Sequence, residues 1–104
     1  MSTGTEHLDR ILELTQELET LLERLPPVAN ASALSRVQAL CRQMAGVDNY
    51  ISEKAGAIEV KAARYLSARK HNSQPGGPFA LRDEITRDLL NRIRTQVGVL
   101  KARP

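Results

Sequence analysis

Apolar side chains recur at spacings of three and four residues along the first quarter of the chain, up to Pro26 and Pro27. This spacing places them on one side of an α-helix that the prolines end, so the pattern predicts a first helix over about residues 5–25. On a helical wheel the apolar positions cover about half of the circumference, which is wider than one packing partner requires. We therefore predict a protein interface formed by Leu8, Ile11, Leu12, Leu14, Leu18, Leu21, Leu22 and Leu25.

The edges of this apolar face are expected to stay exposed. Leu14 and Leu21 lie on one edge and Leu12 lies on the other. An exposed apolar edge on a helix is suited to docking another helix. We expect these leucines to bind a partner helix or a further copy of the chain.

A second periodic run begins after Asn30 and continues across residues 46–49, a cluster of the kind that usually forms a turn. When the run is continued as a helix, the apolar positions on both sides of the cluster share one arc of about 100°, and a break normally scrambles such a phase. The positions in phase are Val37, Leu40, Met44, Ile51, Ala55, Ile58, Ala62 and Tyr65. We predict one central helix over about residues 31–71; a break near Gly46 to Asn49 is the alternative.

Residues 71–78 read His-Asn-Ser-Gln-Pro-Gly-Gly-Pro, which cannot hold a helix and predicts a loop over residues 72–78. Helical spacing then resumes and predicts a third helix over about residues 79–101. Its apolar positions are Leu81, Ile85, Leu89, Leu90, Ile93, Val97 and Leu100. The whole chain of 104 residues is expected to form a single all-α domain.

The predicted helix lengths suggest how the chain assembles, because the two outer helices together are about as long as the central one. Short connections would fold each outer helix antiparallel onto its own half of the central helix. Each cross-section of one chain would then contain two helices, which cannot enclose a core. We therefore predict that a homodimer or larger oligomer completes a coiled-coil-like four-helix bundle.

Composition and candidate chemistry point away from catalysis. Only 3% of the residues are aromatic, and His7 and His71 have no second metal ligand at helical spacing. Cys41 lies on the buried arc of the central helix, where a small apolar filler is the better interpretation than a nucleophile. Arginines alternate with the carboxylates of Asp83 and Glu84, as on a solvated helix face. We expect no enzymatic activity, no cofactor and no metal.

The cysteine content and the hydropathy of the chain bear on its location. A single cysteine excludes an intramolecular disulfide, and the start of the chain lacks the pattern of a signal peptide. The apolar stretches are far shorter than the roughly 20 residues that cross a bilayer. We expect no membrane association and a cytoplasmic location, or one inside a larger assembly such as a virion.

Charge is distributed unevenly along the chain. Residues 1–27 contain two basic and six acidic residues, a net charge of −4, whereas the rest contains thirteen basic and six acidic residues, a net charge of +7. The candidate contacts for phosphate or for an acidic partner are Lys61, Arg64, Arg69, Lys70, Arg87, Arg94 and Lys101. The favoured interpretation is that acidic first helices meet basic third helices across a subunit interface. Nucleic-acid phosphates and an acidic protein are the alternative partners.

These features predict a non-enzymatic helical protein–protein interaction module, a small homo-oligomeric adaptor, structural or regulatory protein. Small helical phage and plasmid proteins are similar in size and style, without a shared motif. The alternative is a nucleic-acid-binding or packaging protein that uses the basic helical face. The sequence lacks a helix-turn-helix pattern and an aromatic platform for bases, which counts against this alternative.

Overall fold

The computed structural model describes residues 3–67 and 76–103, and within these ranges every regular element is a helix. The elements are α1 (Thr3–Arg24), α2 (Ala31–Met44), α3 (Asn49–Tyr65), α4 (Gly77–Asp83), a π-helical segment (Glu84–Leu89) and α5 (Leu90–Ala102). The last three of these follow one another without a break, and we call them together the C-terminal helix. The all-α prediction is confirmed. Most of the predicted loop, residues 72–75, lies outside the described residues.

The prediction of one central helix over residues 31–71 is wrong, because the chain turns at residues 45–48. Gly46 has a φ of +92°, which costs other residues about 1–2 kcal/mol. The Asp48 carboxylate caps α3 by accepting a hydrogen bond from the amide of Ile51 at 3.1 Å. The amide of Gly46 donates to Ser52 Oγ at 2.9 Å. These local interactions stabilise the turn although the apolar phase continues across it.

The helices form an antiparallel four-helix bundle. α2 packs against α3, the C-terminal helix packs against α3 and α1, and α1 closes the ring by packing against α2. The hydroxyl of Tyr65 donates to the carbonyl of Leu25 at 2.6 Å and so ties the end of α3 to the end of α1. Antiparallel register is visible in side-chain pairs whose residue numbers run in opposite directions along neighbouring helices: Arg10–Gln43, Glu17–Arg36, Asp9–Lys101, Glu19–Arg94, Asp48–Gln96 and Lys61–Glu84.

One apolar core runs through the bundle, which measures 47 × 25 × 20 Å. Every helix contributes to the core, including Leu18 of α1, Leu40 of α2, Ile58 of α3 and Ile93 of α5. The four helices of a single chain therefore surround this core together. The premise that one chain has only two helices in cross-section is wrong, so the core does not need a second copy to be enclosed.

The π-helical segment shifts the buried side of the C-terminal helix. In an uninterrupted α-helix at 100° per residue, Leu81 and Val97 would lie about 160° apart. Both are buried. The wider π turn absorbs part of this drift, and the consecutive residues Leu89 and Leu90 both reach the core.

Candidate functional site

A surface groove with a volume of about 650 Å³ runs along α1 on the side of α2, which contributes Arg36 to its lining. It follows α1 from Arg10 to Arg24, a distance of about 21 Å at 1.5 Å per residue. Its lining side chains are Arg10, Glu13, Gln16, Glu17, Thr20, Leu21, Arg24 and Arg36. The groove is therefore about four helical turns long.

The sequence of α2 explains why the bundle is open here. The antiparallel register of α1 and α2 brings Leu21 level with the start of α2, where the side chains of Ala31, Ser32 and Ala33 are small. Leu21 is consequently only half-buried, although it packs against the core. It provides the apolar part of the groove lining, surrounded by charged and polar residues.

The charged groups at the groove edge are only loosely held. Arg10 Nη1 lies 3.1 Å from Glu13 Oε2, and Arg36 Nη2 lies 2.8 Å from Glu17 Oε1. These pairs are about half exposed or more, and exposed pairs of this kind contribute about 0–1 kcal/mol. Arg24 forms no salt bridge within the described part of the chain. Three arginines against two glutamates give the lining a net charge of +1.

The predicted leucine interface is mostly used inside the chain. Leu8, Ile11, Leu14, Leu18 and Leu22 are core residues, and none is more than 7% exposed. The expectation that Leu14 is exposed is wrong, because the wide apolar face of α1 packs against both α2 and α5 and leaves Leu14 0% exposed. The members of the set that remain partly accessible are Leu12, Leu21 and Leu25. Of these, Leu21 lines the groove.

The basic residues of the C-terminal helix meet the acidic residues of α1 within the same chain. Lys101 Nζ pairs with Asp9, and Arg94 Nη2 lies 2.9 Å from Glu19 Oε1. The complementarity that we expected across a subunit interface is thus found between α1 and α5 of one chain. Arg94 and Lys101 do not form an unpaired basic stripe.

The other predicted basic contacts have different surroundings. Lys61 pairs with Glu84, and Arg87 Nε lies 3.8 Å from Asp83 while its side chain is 83% exposed. Arg64 is exposed and forms no salt bridge among the described residues. Arg69 and Lys70 lie outside the described residues.

A polar cluster at the α1–α5 contact was not anticipated. Thr15 is fully buried, and its hydroxyl donates to the carbonyl of Leu12 at 2.7 Å. Arg94 Nε donates to Thr15 Oγ1 at 3.2 Å, and Arg94 Nη1 donates to Asn91 Oδ1 at 2.9 Å. The sequence signal was a single threonine within the leucine face of α1. Together with Glu19, these groups fix how α5 lies on α1.

The groups to consider for chemical reactivity are Cys41 and the carboxylates of the C-terminal helix. Burial, and secondarily the carboxylate of Glu59, raises the pKa of Cys41 from 9.0 to about 12, so this thiol stays protonated at neutral pH. The carboxylates of Asp83 and Asp88 pair with Arg87 and Arg92. Within residues 3–67 and 76–103, no group of three His, Cys, Asp or Glu residues is placed to hold a metal ion.

A second, smaller cavity of about 360 Å³ is lined by residues of α3 and the C-terminal helix. Its lining residues are Tyr50, Arg87, Asp88, Asn91, Arg92, Thr95 and Gln96. The Lys54 ammonium lies 5.0 Å from the centre of the Tyr50 ring. Arg92 Nε donates a hydrogen bond to Asp88 Oδ1 at 2.6 Å, and both residues line the cavity. This cavity is polar and its charges are largely paired, so we consider the α1–α2 groove the better candidate site.

The chain matches no protein-family model, no curated protein and no solved structure. None of the helices in the described ranges has the length and apolar character needed to cross a membrane.

Proposed function

We propose that this chain is a non-catalytic helical protein–protein interaction module that binds an amphipathic helix of a partner protein in the α1–α2 groove. The observation that carries this proposal is the shape of the groove: it is about four turns long, with half-buried Leu21 in its lining and charged residues at its edges. A groove of this shape is suited to helix-in-groove recognition. An adaptor or regulator would act through such a site.

The lining suggests the chemistry of the partner helix. An apolar side chain of the partner would cover Leu21 and complete its burial. Acidic side chains of the partner would approach Arg24, which has no salt-bridge partner among the described residues, and Arg36. The loosely held pairs Arg10–Glu13 and Arg36–Glu17 can rearrange at little cost in free energy. The preferred ligand is thus an amphipathic helix with acidic residues flanking its apolar stripe.

The proposal is tested with Leu21→Glu and a photo-crosslinking amino acid at Thr20, inside the groove. When the protein with this amino acid at position 20 is irradiated in its native cells, we expect it to crosslink to a specific partner protein. Leu21→Glu should weaken that interaction by about tenfold or more, because a charge would replace the central apolar contact. Binding of the isolated partner segment is then measured by calorimetry.

Val99→Glu is the matched control, because Val99 is an exposed valine on α5 and does not line the groove. It introduces the same charge and should leave binding unchanged. Equal loss of binding in both variants, or equal crosslinking from positions 20 and 99, would contradict a role for the groove. Circular dichroism checks that both variants remain helical.

Nucleic-acid binding through the basic helical face is the second candidate. It is favoured by Arg64 and Arg87, which are exposed. It is weakened by Arg94 and Lys101, whose charges are paired with α1. A gel shift that ignores sequence and is lost between about 50 and 200 mM salt would support it. Such a shift should disappear in a variant carrying both Arg64→Glu and Arg87→Glu.

A further inference from the structure

The turn between α2 and α3 connects two helices whose buried faces would also be continuous in a single helix. The turn comprises residues 45–48. Continued at 100° per residue, the buried residues on both sides of the turn fall within an arc of about 120°. These residues are Val37, Leu40, Cys41, Met44, Ile51, Ala55, Ile58, Ala62 and Tyr65. A straight α2–α3 helix would therefore keep its apolar face intact.

We propose that two copies of this chain exchange their α1–α2 hairpins through this turn and form a domain-swapped homodimer. In the exchanged dimer, α2 and α3 of each chain join into one helix over residues 31–65, about 52 Å long at 1.5 Å per residue. The two long helices lie antiparallel. The α2 of one chain then packs against the α3 of the other in the orientation that the closed monomer already has.

The exchange preserves the contacts between the two halves of the bundle. In the closed monomer, Glu19 of α1 meets Arg94 of α5, and the carbonyl of Leu25 meets the hydroxyl of Tyr65. In the exchanged dimer both contacts form between chains instead of within one. The α1–α2 groove moves as one piece and keeps its lining. The inference thus goes beyond partner binding, and neither proposal depends on the other.

Because the interhelical contacts are shared, the balance between the two forms is set at the hinge and by protein concentration. The closed turn is favoured by the left-handed conformation of Gly46, the Asp48 cap and the hydrogen bond to Ser52. The open hinge is favoured by continuous helical hydrogen bonding. Association of two chains costs translational and rotational freedom, so the closed monomer prevails at low concentration.

The first test is Gly46→Ala, with the monomer–dimer dissociation constant measured by sedimentation after refolding at each concentration. Alanine at a left-handed φ disfavours the closed turn by about fivefold, and alanine favours a helical hinge over glycine by a further factor of about five. Since the dimer has two hinges, the dissociation constant should fall by about 600-fold. No atom would obstruct the added methyl group, so the effect is one of backbone conformation.

Gly56→Ala is the matched control. Gly56 lies inside α3, and its added methyl group would likewise meet no other atom. Alanine there favours the helix equally in both forms, so the dissociation constant should not change. A Gly46→Ala protein that stays monomeric at millimolar concentration would overturn the proposal. An equal shift in both variants would overturn it as well.

The second test distinguishes exchange from side-by-side association and keeps the natural hinge. One chain carries Glu19→Arg and the other carries Arg94→Glu, so each alone places like charges together between α1 and α5. In an exchanged heterodimer, one half of the dimer pairs arginine at position 19 with glutamate at position 94. The other half keeps the natural pair of Glu19 and Arg94. Co-refolding should therefore enrich the heterodimer at least about tenfold over the statistical mixture, measured by native mass spectrometry.

Side-by-side association would leave each mismatch within its own chain and give the statistical mixture, which would overturn the proposal. Co-refolded wild-type chains, one isotopically labelled, provide the statistical reference. Adding Leu21→Glu to both chains should leave the enrichment unchanged. Failure of the groove proposal can therefore be told apart from failure of the exchange.

Discussion

Two leucines on α1 have different surroundings although they lie seven residues apart and point in nearly the same direction. Leu14 is a core residue and is 0% exposed. Leu21 lies level with the small residues at the start of α2 and is half-buried. The periodicity of α1 alone could therefore not separate a core leucine from a groove leucine.

This contrast predicts unequal effects of truncation. Leu14→Ala should lower the free energy of unfolding by about 2–5 kcal/mol, because it leaves a cavity in a packed core. Leu21→Ala should lower it by less than about 1.5 kcal/mol, because the site is already partly open to water. Urea denaturation followed by circular dichroism measures both values. Equal losses in the two variants would show that Leu21 is as deeply packed as Leu14.

At the scale of helices, the contact between α1 and α5 depends on a partly buried ion pair. The side chains of Arg94 and Glu19 are 26% and 27% exposed, whereas those of Arg92 and Asp88, within the C-terminal helix, are each 53% exposed. The charges of Arg94 and Glu19 are therefore screened less by water than those of Arg92 and Asp88. Arg94 also bonds to Thr15, so its position is fixed by the packing of two helices.

A double-mutant cycle should detect this difference. Replacing Arg94 and Glu19 by alanine, singly and together, should give a coupling free energy of about 1–2 kcal/mol from denaturation curves. The same cycle on Arg92 and Asp88 should give about 0.5 kcal/mol or less, since that pair is exposed and lies within one helix. Raising the salt concentration should reduce the second coupling more. Equal couplings would contradict a special role for Arg94.

The helices themselves were largely predictable from sequence, but their connections were not. Spacing of apolar residues located α1 and the C-terminal helix within a few residues. It failed at residues 45–48, because periodicity reports which face is buried and does not report whether the chain reverses. Gly46 and Asp48 carried that information through backbone conformation and capping. Because the chain reverses at this turn, the helices form a closed bundle and not the predicted long central helix with two shorter helices along it.

The groove could not be predicted from the sequence for a related reason. Its shape depends on the register between α1 and α2, which sets Leu21 opposite the small residues of α2. Register follows from the closed bundle, and the bundle follows from the turn. Likewise, the acidic and basic halves of the sequence predicted that opposite charges meet, but only the fold brings Arg94 and Glu19 together in one chain.

At the scale of the whole molecule, the bundle consists of two hairpins that each supply half of the core. The first hairpin is α1–α2, and the second is α3 with the C-terminal helix. A pair of helices cannot enclose its own apolar side chains. Residues such as Leu18 and Ile93 are buried only when the hairpins meet. Each hairpin alone should therefore be poorly folded.

This division predicts fragment complementation. A peptide of residues 1–46 and a peptide of residues 47–104 should each show little helix alone, and an equimolar mixture at tens of micromolar should recover most of the native circular dichroism. Cutting between residues 46 and 47 removes the chain connection, and the hydrogen bond from Gly46 to Ser52 would then form between the two peptides. Placing Leu14→Ala in the first peptide should weaken association by about 30-fold or more, since about 2 kcal/mol of core packing is lost. Peptides that fold separately, or that do not associate, would show that the core is not divided between the two hairpins.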